Sequence, residues 1–140
     1  MNANYEFIYQ LSDEYTSALI KLFQDAPWAA DRNEADIRVM LKNSWTCAMV
    51  DKRNGNIVAF NRVLSDHVYR AFIYDVVVSK EYRGQGLGRL LVENTVHHSN
   101  FKGIERIELY CRDHNVEFYE KLGFEKLKDL TNLMRYKKTH

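Results

Sequence analysis

Proline and cysteine are scarce in this chain of 140 residues, which contains one proline, two cysteines and six glycines. This composition leaves no room for a flexible Pro- or Gly-rich linker, so we expect a single domain over residues 1–140. Two cysteines cannot build the dense disulfide framework of a small secreted protein. We expect Cys47 and Cys111 to be buried free thiols within strands, in a cytoplasmic protein.

Long apolar runs and an excess of charge of one sign are also missing. No stretch approaches the roughly 20 apolar residues of a membrane span, and Met1–Gln10 lacks the pattern of a secretory leader. The net charge is +1 with dispersed lysines and arginines, which does not indicate a nucleic-acid surface. The adjacent His97 and His98 would point about 100° apart on a helix and could not chelate together. We therefore expect no membrane, nucleic acid or metal among the partners.

The chain does contain a β-branched strand that runs into a glycine-rich turn and then a helix. Val76–Val78 suits an inner strand, and three glycines follow at alternate positions where a helix begins, namely Gly84, Gly86 and Gly88. Glycine lets backbone N–H groups lie close to a ligand, and the first turn of a helix favours negative charge. Arg83 adds a positive side chain, so this turn is predicted to bind a phosphate or pyrophosphate.

The spacing of the glycines excludes two common phosphate-binding loops. A P-loop needs Lys and then Ser or Thr after its last glycine, whereas Arg89-Leu90 follow here. A dinucleotide-binding fingerprint reads G-x-G-x-x-G, whereas this segment reads G-x-G-x-G. Residues 83–88, Arg-Gly-Gln-Gly-Leu-Gly, instead match the Arg/Gln-x-x-Gly-x-Gly/Ala loop that binds acyl-CoA pyrophosphate in the GNAT superfamily of N-acetyltransferases. The chain resembles a member of that superfamily.

A second motif supports the resemblance. Residues 115–124 read Asn-Val-Glu-Phe-Tyr-Glu-Lys-Leu-Gly-Phe, a pattern that recurs in GNAT enzymes. Within the superfamily, both motifs look most similar to those of glucosamine-6-phosphate N-acetyltransferases. Those enzymes carry an acidic pair in place of Tyr74-Asp75 and an acidic residue in place of Tyr110. These departures change the end of the site that would receive the acceptor.

The order of the predicted elements also agrees with the GNAT fold. We predict an α+β sandwich, with a mixed, mostly antiparallel sheet flanked by about four helices. The predicted strands cover residues 5–9, 46–50, 57–63, 71–78 and 104–111, followed by a final hairpin of 125–127 and 133–136. Asn54-Gly55 predicts the first hairpin turn. The predicted helices are one with Ser12 as N-cap that ends by Pro27, one over 34–42, a long one after the glycines, and one over 115–122.

The resemblance implies acetyl-CoA as co-substrate. In GNAT enzymes the pantetheine arm pairs with the strand equivalent to Val76–Val78, which also offers an N–H to the thioester carbonyl. The pyrophosphate would lie on the N–H groups of the glycine-rich turn. The implied cofactor-binding residues are Val76, Val77, Val78, Arg83, Gly84, Gln85, Gly86, Leu87, Gly88, Arg89, Asn115 and Phe118.

The resemblance further implies that a primary amine of a small molecule attacks the thioester directly. The Tyr119 hydroxyl would protonate the departing thiolate, and the alternative is a core tyrosine bonded to a backbone carbonyl. Asp75 would accept the proton of the amine, directly or through water. Asp75 could instead be structural, and Tyr74 could order that water.

The acceptor pocket is expected to contain four further side chains, which are Trp28, Arg32, Tyr74 and Tyr110. Trp28 packed in the core is the alternative. Arg32, Arg62 and Arg70 could each hold a carboxylate or phosphate of the acceptor, or lie on the surface. Two other functions stay open, an acetyltransferase acting on a protein lysine or N-terminus, and a non-catalytic acyl-CoA sensor. A homodimer is also consistent with this fold.

Overall fold

The computed structural model describes residues 3–127 and 130–138. It divides the chain into two compact units, Met1–Leu109 and Tyr110–His140. The first unit contains the sheet and three α-helices, and the second contains one short α-helix. The single domain over residues 1–140 stays a prediction.

The first unit is built on a five-stranded sheet in the order β1-β2-β3-β4-β5. The strands are β1 (Tyr5–Tyr9), β2 (Trp45–Asp51), β3 (Asn56–Ser65), β4 (Arg70–Val78) and β5 (Arg106–Glu108). Neighbouring strands are antiparallel except for β4 and β5, which are parallel. The predicted mixed, mostly antiparallel sheet is therefore confirmed. Gly55 has a φ of 75° in the turn between β2 and β3, as Asn54-Gly55 predicted.

The described residues contain four α-helices, the number predicted. They are α1 (Thr16–Phe23), α2 (Glu34–Asn43), α3 (Leu87–Val96) and α4 (Val116–Glu120). Short 3-10 turns lie at Asp13–Tyr15, Lys80–Tyr82, Ser99–Phe101 and Asp113–Asn115. The Asn33 side chain caps α2 by accepting a hydrogen bond from the Asp36 N–H at 2.8 Å. Ser12 precedes the first of these turns, but its side chain makes no capping hydrogen bond.

The core lies between one face of the sheet and the helices α1 and α2. Leu19 and Phe23 of α1 and Ile37 of α2 pack with Phe60 of β3 and Val77 of β4. The rings of Phe23 and Phe60 meet edge to face with centroids 5.7 Å apart. Burying one side chain of this size stabilises the fold by about 1.5–3 kcal/mol. This layer fixes β3 and β4 against the loop that joins α1 to α2.

The other face of the sheet packs against α3. Successive residues of a strand point to opposite faces, so Asn61 points away from Phe60. Its Oδ1 accepts a hydrogen bond from Thr95 of α3 at 3.1 Å, and both residues are buried. Leu91 and Val92 of α3 are fully buried as well. The helix that follows the glycines is therefore held firmly on the sheet.

The structure differs from the sequence prediction mainly after α3. The predicted strand 104–111 is reduced to Arg106–Glu108, because β5 pairs only with the first three residues of β4. Residues 125–127 and 133–136, which are described, form no strand, so the predicted final hairpin is wrong there. Met134 and Tyr136 are 87% and 85% exposed. Apolar alternation predicts a strand only where a neighbouring strand is available.

The two cysteines have different environments. Cys47 is a buried free thiol in β2, as predicted, and burial raises the pKa of its thiol to about 12. Cys111 is an exposed free thiol outside the strands, so the prediction of a buried strand residue is wrong there. The strand β5 ends at Glu108, three residues before Cys111.

Candidate active site

A β-bulge interrupts β4 where the predicted cofactor strand begins. Phe60 of β3 pairs with Val77 and Arg62 pairs with Tyr74, so Asn61 alone stands opposite Asp75 and Val76. Asp75 has a φ of 58°, an uncommon backbone conformation for a residue with a side chain. Such conformations concentrate at functional sites. The bulge changes the direction of β4 between Tyr74 and Val76.

The edge of β4 beyond the bulge is open. β5 pairs with Arg70, Ala71 and Phe72 only, while β3 pairs along β4 as far as Val78. In the described sheet, no strand lies beside Val76–Val78 on the β5 side. Backbone groups along that edge can therefore pair with an extended ligand, as in strand addition. These are the residues predicted to hold the pantetheine arm.

The glycine-rich turn follows directly on this edge. Gly84 and Gly86 have φ values of 84° and 81°, and Gly86 is the N-cap of α3. Adjacent residues apart, no heavy atom of the described residues lies within 4 Å of the position that a Cβ would take at either glycine. The exposed backbone is thus free to approach an anion, and the N-terminus of α3 favours negative charge. Gly88 and Arg89 lie in the first turn of α3, which buried Leu87 anchors.

Two side chains of the turn are tied to the rest of the first unit. Arg83 donates from Nε to the Val78 carbonyl at 3.2 Å and from Nη2 to the Asp25 carbonyl at 3.0 Å. Gln85 accepts a hydrogen bond from the Tyr5 hydroxyl at 3.0 Å. Arg83 was predicted only as a ligand of the anion. Its contacts also fix the turn against the residues that follow α1.

A buried carboxylate that the sequence analysis missed supports the same turn. Asp51 is 1% exposed and accepts hydrogen bonds from the Tyr82 hydroxyl at 2.8 Å and from Arg53 Nε at 2.9 Å. The hydrogen bond from Arg53 is the main cause that lowers the pKa of Asp51 to about 2. Tyr82 lies in the 3-10 turn just before the glycines. An aspartate beside an Asn-Gly hairpin gives no sign of this contact in sequence.

A compact polar cluster forms around Asp75 on the other side of the bulge. Its carboxylate accepts from Arg32 Nη1 at 2.7 Å and Nη2 at 3.1 Å, from Arg62 Nε at 2.6 Å, and from Trp28 Nε1 at 3.2 Å. The loop between α1 and α2 supplies Trp28 and Arg32, and β3 supplies Arg62. The structure thus brings together three predicted site residues, Trp28, Arg32 and Asp75. The side chain of Asp75 is only 6% exposed.

Aromatic rings hold the two arginines of this cluster in place. The Arg62 guanidinium lies 4.9 Å from the ring centroid of Tyr74, and that of Arg32 lies 5.3 Å from the ring of Phe23. Trp28 is 59% exposed, so it lies at the rim of the cluster and does not pack in the core. Arg62 was considered only as one of three anion ligands. Its alternation with buried Phe60 on β3 is the sequence signal that marks it as inward-facing.

Arg32 and Arg62 stabilise the ionised form of Asp75. Burial of the carboxyl raises its pKa, but the hydrogen bonds and charges of Arg32 and Arg62 outweigh burial and hold the pKa below its usual range. Asp75 is therefore ionised at neutral pH and is a weak proton acceptor. These contacts match the structural role that the sequence analysis left open. The role of Asp75 as proton acceptor stays a prediction.

The second unit contains the other predicted catalytic residue, Tyr119. Tyr119 is buried in α4, where its ring meets those of Phe118 and Phe124 edge to face at 4.9 and 5.8 Å. Burial, with a smaller effect of Cys111, raises the pKa of the Tyr119 hydroxyl to about 12. The hydroxyl therefore keeps its proton at neutral pH. Asn115 is exposed at the N-cap of α4 and Tyr110 is 53% exposed.

The described residues contain neither a cluster of metal ligands nor a membrane-spanning helix. Among residues 3–127 and 130–138, no three His, Cys, Asp or Glu side chains come together in a way that could hold a metal ion. The expectation that no metal takes part stays a prediction. Within the same residues, no helix combines the length and apolarity needed to cross a membrane.

Comparison with known proteins gives relatives with different acceptors in their names. The chain is 38% identical over 96 residues to serotonin N-acetyltransferase 2 (chloroplastic) from Oryza sativa, covering 66% of this chain and 48% of that protein. It is 37% identical over 95 residues to histone acetyltransferase TAP1 from Glycine max, covering 61% and 41%. The chain thus spans about half or less of the length of these two relatives.

Solved structures agree with the fold over nearly the whole chain. The crystal structure of glucosamine-6-phosphate N-acetyltransferase from Arabidopsis thaliana superposes with a TM-score of 0.70, covering 97% of this chain and 99% of that one at 23% identity. This likeness concerns the fold. The model of the acetyltransferase (GNAT) family matches residues 6–124, and the chain therefore belongs to this family, which uses acetyl-CoA as co-substrate.

Proposed function

We propose that this protein transfers the acetyl group of acetyl-CoA to a primary amine of a small molecule. Membership of the GNAT family supports the reaction type. The observation that carries the proposal is the cluster of Asp75, Arg32, Arg62 and Trp28 beside the bulge of β4. It places a polar, partly open site next to the open edge of Val76–Val78. A reaction of two substrates needs two such adjoining sites.

The acetyl-CoA half of the proposal uses the open edge and the glycine-rich turn. The pantetheine arm extends β4 by pairing with Val76–Val78, and the pyrophosphate lies on the N–H groups of residues 84–89. The positive φ values of Gly84 and Gly86, and the open space around the Cβ position of each, support this placement. The family resemblance adds Asn115 and Phe118 to the residues proposed to bind acetyl-CoA.

The chemistry proceeds by direct attack in a ternary complex. The neutral amine nitrogen attacks the thioester carbon, and a backbone N–H of β4 stabilises the oxyanion of the tetrahedral intermediate. The C–S bond then breaks, and the Tyr119 hydroxyl gives its proton to the departing thiolate. The extra proton of the amine leaves to Asp75 through water. The lowered pKa of Asp75 makes its carboxylate a weak base whether the proton arrives directly or through water.

A protein acceptor is the second candidate, favoured by the name of the soybean relative. The small-amine acceptor is preferred because Trp28, Arg32 and Arg62 form a compact site with fixed side chains. A sensor that binds acyl-CoA without turnover would have no need of an ordered acceptor site. It would also have no need of Tyr119 as a proton donor.

The location and assembly of the protein also belong to this proposal. We place it in the cytoplasm as one domain that forms a homodimer. Apolar side chains of the second unit are strongly exposed, namely Leu130, Leu133, Met134 and Tyr136, and exposed apolar groups of this kind are typical of interfaces. Light scattering after size exclusion would give the mass. A monomer at working concentration would contradict the dimer.

The test of the activity is release of free thiol from acetyl-CoA with a panel of amines. The panel contains glucosamine 6-phosphate, amino acids, polyamines, arylalkylamines and a lysine peptide. Direct attack predicts intersecting initial-rate lines when both substrates are varied, whereas an acyl-enzyme would give parallel lines. Gly86→Glu serves as the variant that blocks the pyrophosphate site by charge and bulk.

The outcomes separate the three functions. Thiol release that depends on a small amine and is lost in Gly86→Glu supports the proposal. Turnover of the lysine peptide alone supports the protein acetyltransferase. Acetyl-CoA binding by calorimetry with no turnover on any acceptor supports the sensor and overturns the proposed activity.

A further inference from the structure

We propose that Arg32 and Arg62 form an anion subsite, so that the acceptor is an amine that also carries a carboxylate or phosphate. This proposal rests on the acetyl transfer proposed above and names the class of acceptor. Glucosamine 6-phosphate and amino acids fit the class, whereas simple polyamines and arylalkylamines do not.

The charges of the cluster do not balance. Two arginines share one carboxylate, and among the described residues Asp75 is the only acid within salt-bridge distance of either. The side chains of Arg32 and Arg62 are 29% and 17% exposed, so water solvates them only in part. A partly buried pair of arginines with one counter-charge attracts a second anion. A cationic amine without an anionic group is repelled by the same excess charge.

Both guanidinium groups retain donors for that anion. Each guanidinium carries five N–H groups. Arg32 uses Nη1 and Nη2 on Asp75, while Arg62 uses Nε on Asp75 and Nη1 on the Ser44 hydroxyl at 3.5 Å. Within the part of the chain that the structure describes, the remaining N–H groups have no protein acceptor. Arginine donors in a fixed plane match the oxygens of a carboxylate or phosphate.

The arginines are held in advance of binding. Asp75 accepts hydrogen bonds from both guanidinium groups. The rings of Phe23 and Tyr74 make cation–π contacts with Arg32 and Arg62, respectively. Preorganised donors lose less conformational entropy when a ligand binds than mobile surface arginines do. Arg70 provides the contrast, because it is 47% exposed in its side chain and pairs with Glu105 at 3.4 Å. Asp75 thus acts here as a positioning residue for the anion ligands.

The site also lies at the correct end of β4 for an acceptor. Asp75 immediately precedes Val76–Val78, the residues that would hold the thioester end of the cofactor. An anion bound at Arg32 and Arg62 would therefore leave the amine of the same molecule free to reach the thioester. The exposed indole of Trp28, fixed through Nε1 to Asp75, offers a flat apolar surface to the body of the acceptor.

The test compares pairs of amines that differ only in the anionic group. Glucosamine and glucosamine 6-phosphate form the phosphate arm, while phenethylamine and phenylalanine form the carboxylate arm, at saturating acetyl-CoA. We expect at least about 10-fold higher kcat/KM for one anionic member over its neutral partner. Arg32→Gln should bring that ratio close to one with the KM for acetyl-CoA unchanged. The pair in which the anionic member has the higher kcat/KM identifies the anion as phosphate or carboxylate.

Arg38→Gln is the matched control. Arg38 lies on α2, is half exposed and pairs with Glu34 outside the cluster. It should leave the ratio at its wild-type value. Arg32→Lys, which keeps the charge and loses the planar donors, should retain part of the preference. Should Arg32→Gln fail to fold, the wild-type pairs and Arg32→Lys still decide the question.

The failure of this proposal is distinct from failure of the activity. Equal kcat/KM for both members of each pair overturns the anion subsite and leaves the acetyltransferase intact. If no amine is turned over, calorimetry measures the binding of inorganic phosphate and of acetate to the CoA-saturated protein. Binding that weakens about 10-fold or more in Arg32→Gln supports the subsite, and binding that is absent or unchanged overturns it.

Discussion

Tyr119 keeps its proton over a wider pH range than an exposed tyrosine, because burial raises the pKa of its hydroxyl to about 12. A proton donor to a departing thiolate must be protonated at the working pH. The neighbouring rings of Phe118 and Phe124 fix its orientation. The fixed orientation suits the proposed general acid, whereas the raised pKa makes the hydroxyl a weaker proton donor than an exposed tyrosine.

Tyr119→Phe should lower kcat by about 100-fold with little change in the KM for acetyl-CoA, because general acid catalysis contributes about that factor. Thiol release under saturating substrates measures the effect. Tyr136→Phe, at a residue that is 85% exposed, is the control and should keep the wild-type rate. A wild-type rate in Tyr119→Phe would remove the general-acid role and leave the family assignment untouched.

Asp75 is the residue on which the acceptor cluster depends. Asp75→Asn leaves two partly buried arginines without a counter-charge, so we expect a loss of about 1–3 kcal/mol in the free energy of unfolding. Denaturant unfolding at neutral pH measures it. Glu34→Gln, which breaks the exposed pair with Arg38 at 3.9 Å, should cost less than about 0.5 kcal/mol. Equal losses in the two variants would show that the cluster adds no particular stability.

At the scale of the element, the glycine-rich turn and the bulge of β4 are two different kinds of feature. The turn is local, since Gly84 and Gly86 take left-handed φ values within a few residues of the N-terminus of α3. The bulge arises from the pairing of β4 with β3, at Asp75 opposite Asn61. The turn was predicted from its glycines, and the bulge was not.

Gly86→Ala tests whether the backbone of the turn approaches a ligand. Gly103 is a matched control, because the φ values are 81° and 83° and no heavy atom lies within 4 Å of a Cβ at either position. Each alanine should lose roughly 1–2 kcal/mol of stability through its left-handed backbone. Only Gly86→Ala should also raise the KM for acetyl-CoA, by about 10-fold or more.

Denaturant unfolding curves measure the loss of stability, and initial-rate kinetics measure the KM for acetyl-CoA. A rise in the KM for acetyl-CoA of equal size in Gly103→Ala would mean that strain, and not contact with the pyrophosphate, causes the effect. No rise in either variant would remove the turn from the cofactor site.

Across the whole molecule, three aspartates with lowered pKa values make the folded state less stable in acid. The pKa of Asp51 is lowered to about 2, and those of Asp66 and Asp75 are lowered as well. Arg53 is the main cause for Asp51 and the Val68 N–H for Asp66, while Arg32 and Arg62 outweigh burial for Asp75. An aspartate in the unfolded chain titrates at about 3.9. Folding therefore favours the ionised form of all three.

The lowered pKa values of these aspartates make the free energy of unfolding decrease in acid. A folded pKa below the unfolded value gives stability that is fully present above about pH 4–5 and is lost as the pH falls towards 2. We expect a nearly constant melting temperature between pH 7 and 5, and a steady decrease below pH 4. The decrease should be shallower in Asp51→Asn. A melting temperature that rises on acidification would contradict this account.

The amino-acid sequence was enough to predict the family, the glycine-rich turn, four helices and most strands. The evidence for these features is local: contiguous β-branched residues, alternate glycines and an Asn-Gly turn each specify backbone geometry over a few residues. Asp75, Trp28, Arg32 and Arg62 were recognised only as separate candidates for the predicted acceptor site.

The contacts between these candidates become visible in the three-dimensional structure. Arg32 is 43 residues from Asp75 in sequence and Arg62 is 13, and their meeting depends on how β3 and the loop after α1 pack around the bulge. Strand register and the limit of β5 also arise from pairing between distant segments, which periodicity along one segment cannot encode. The glycine-rich turn can thus be predicted from local sequence, whereas the cluster around Asp75 forms only when the sheet has folded.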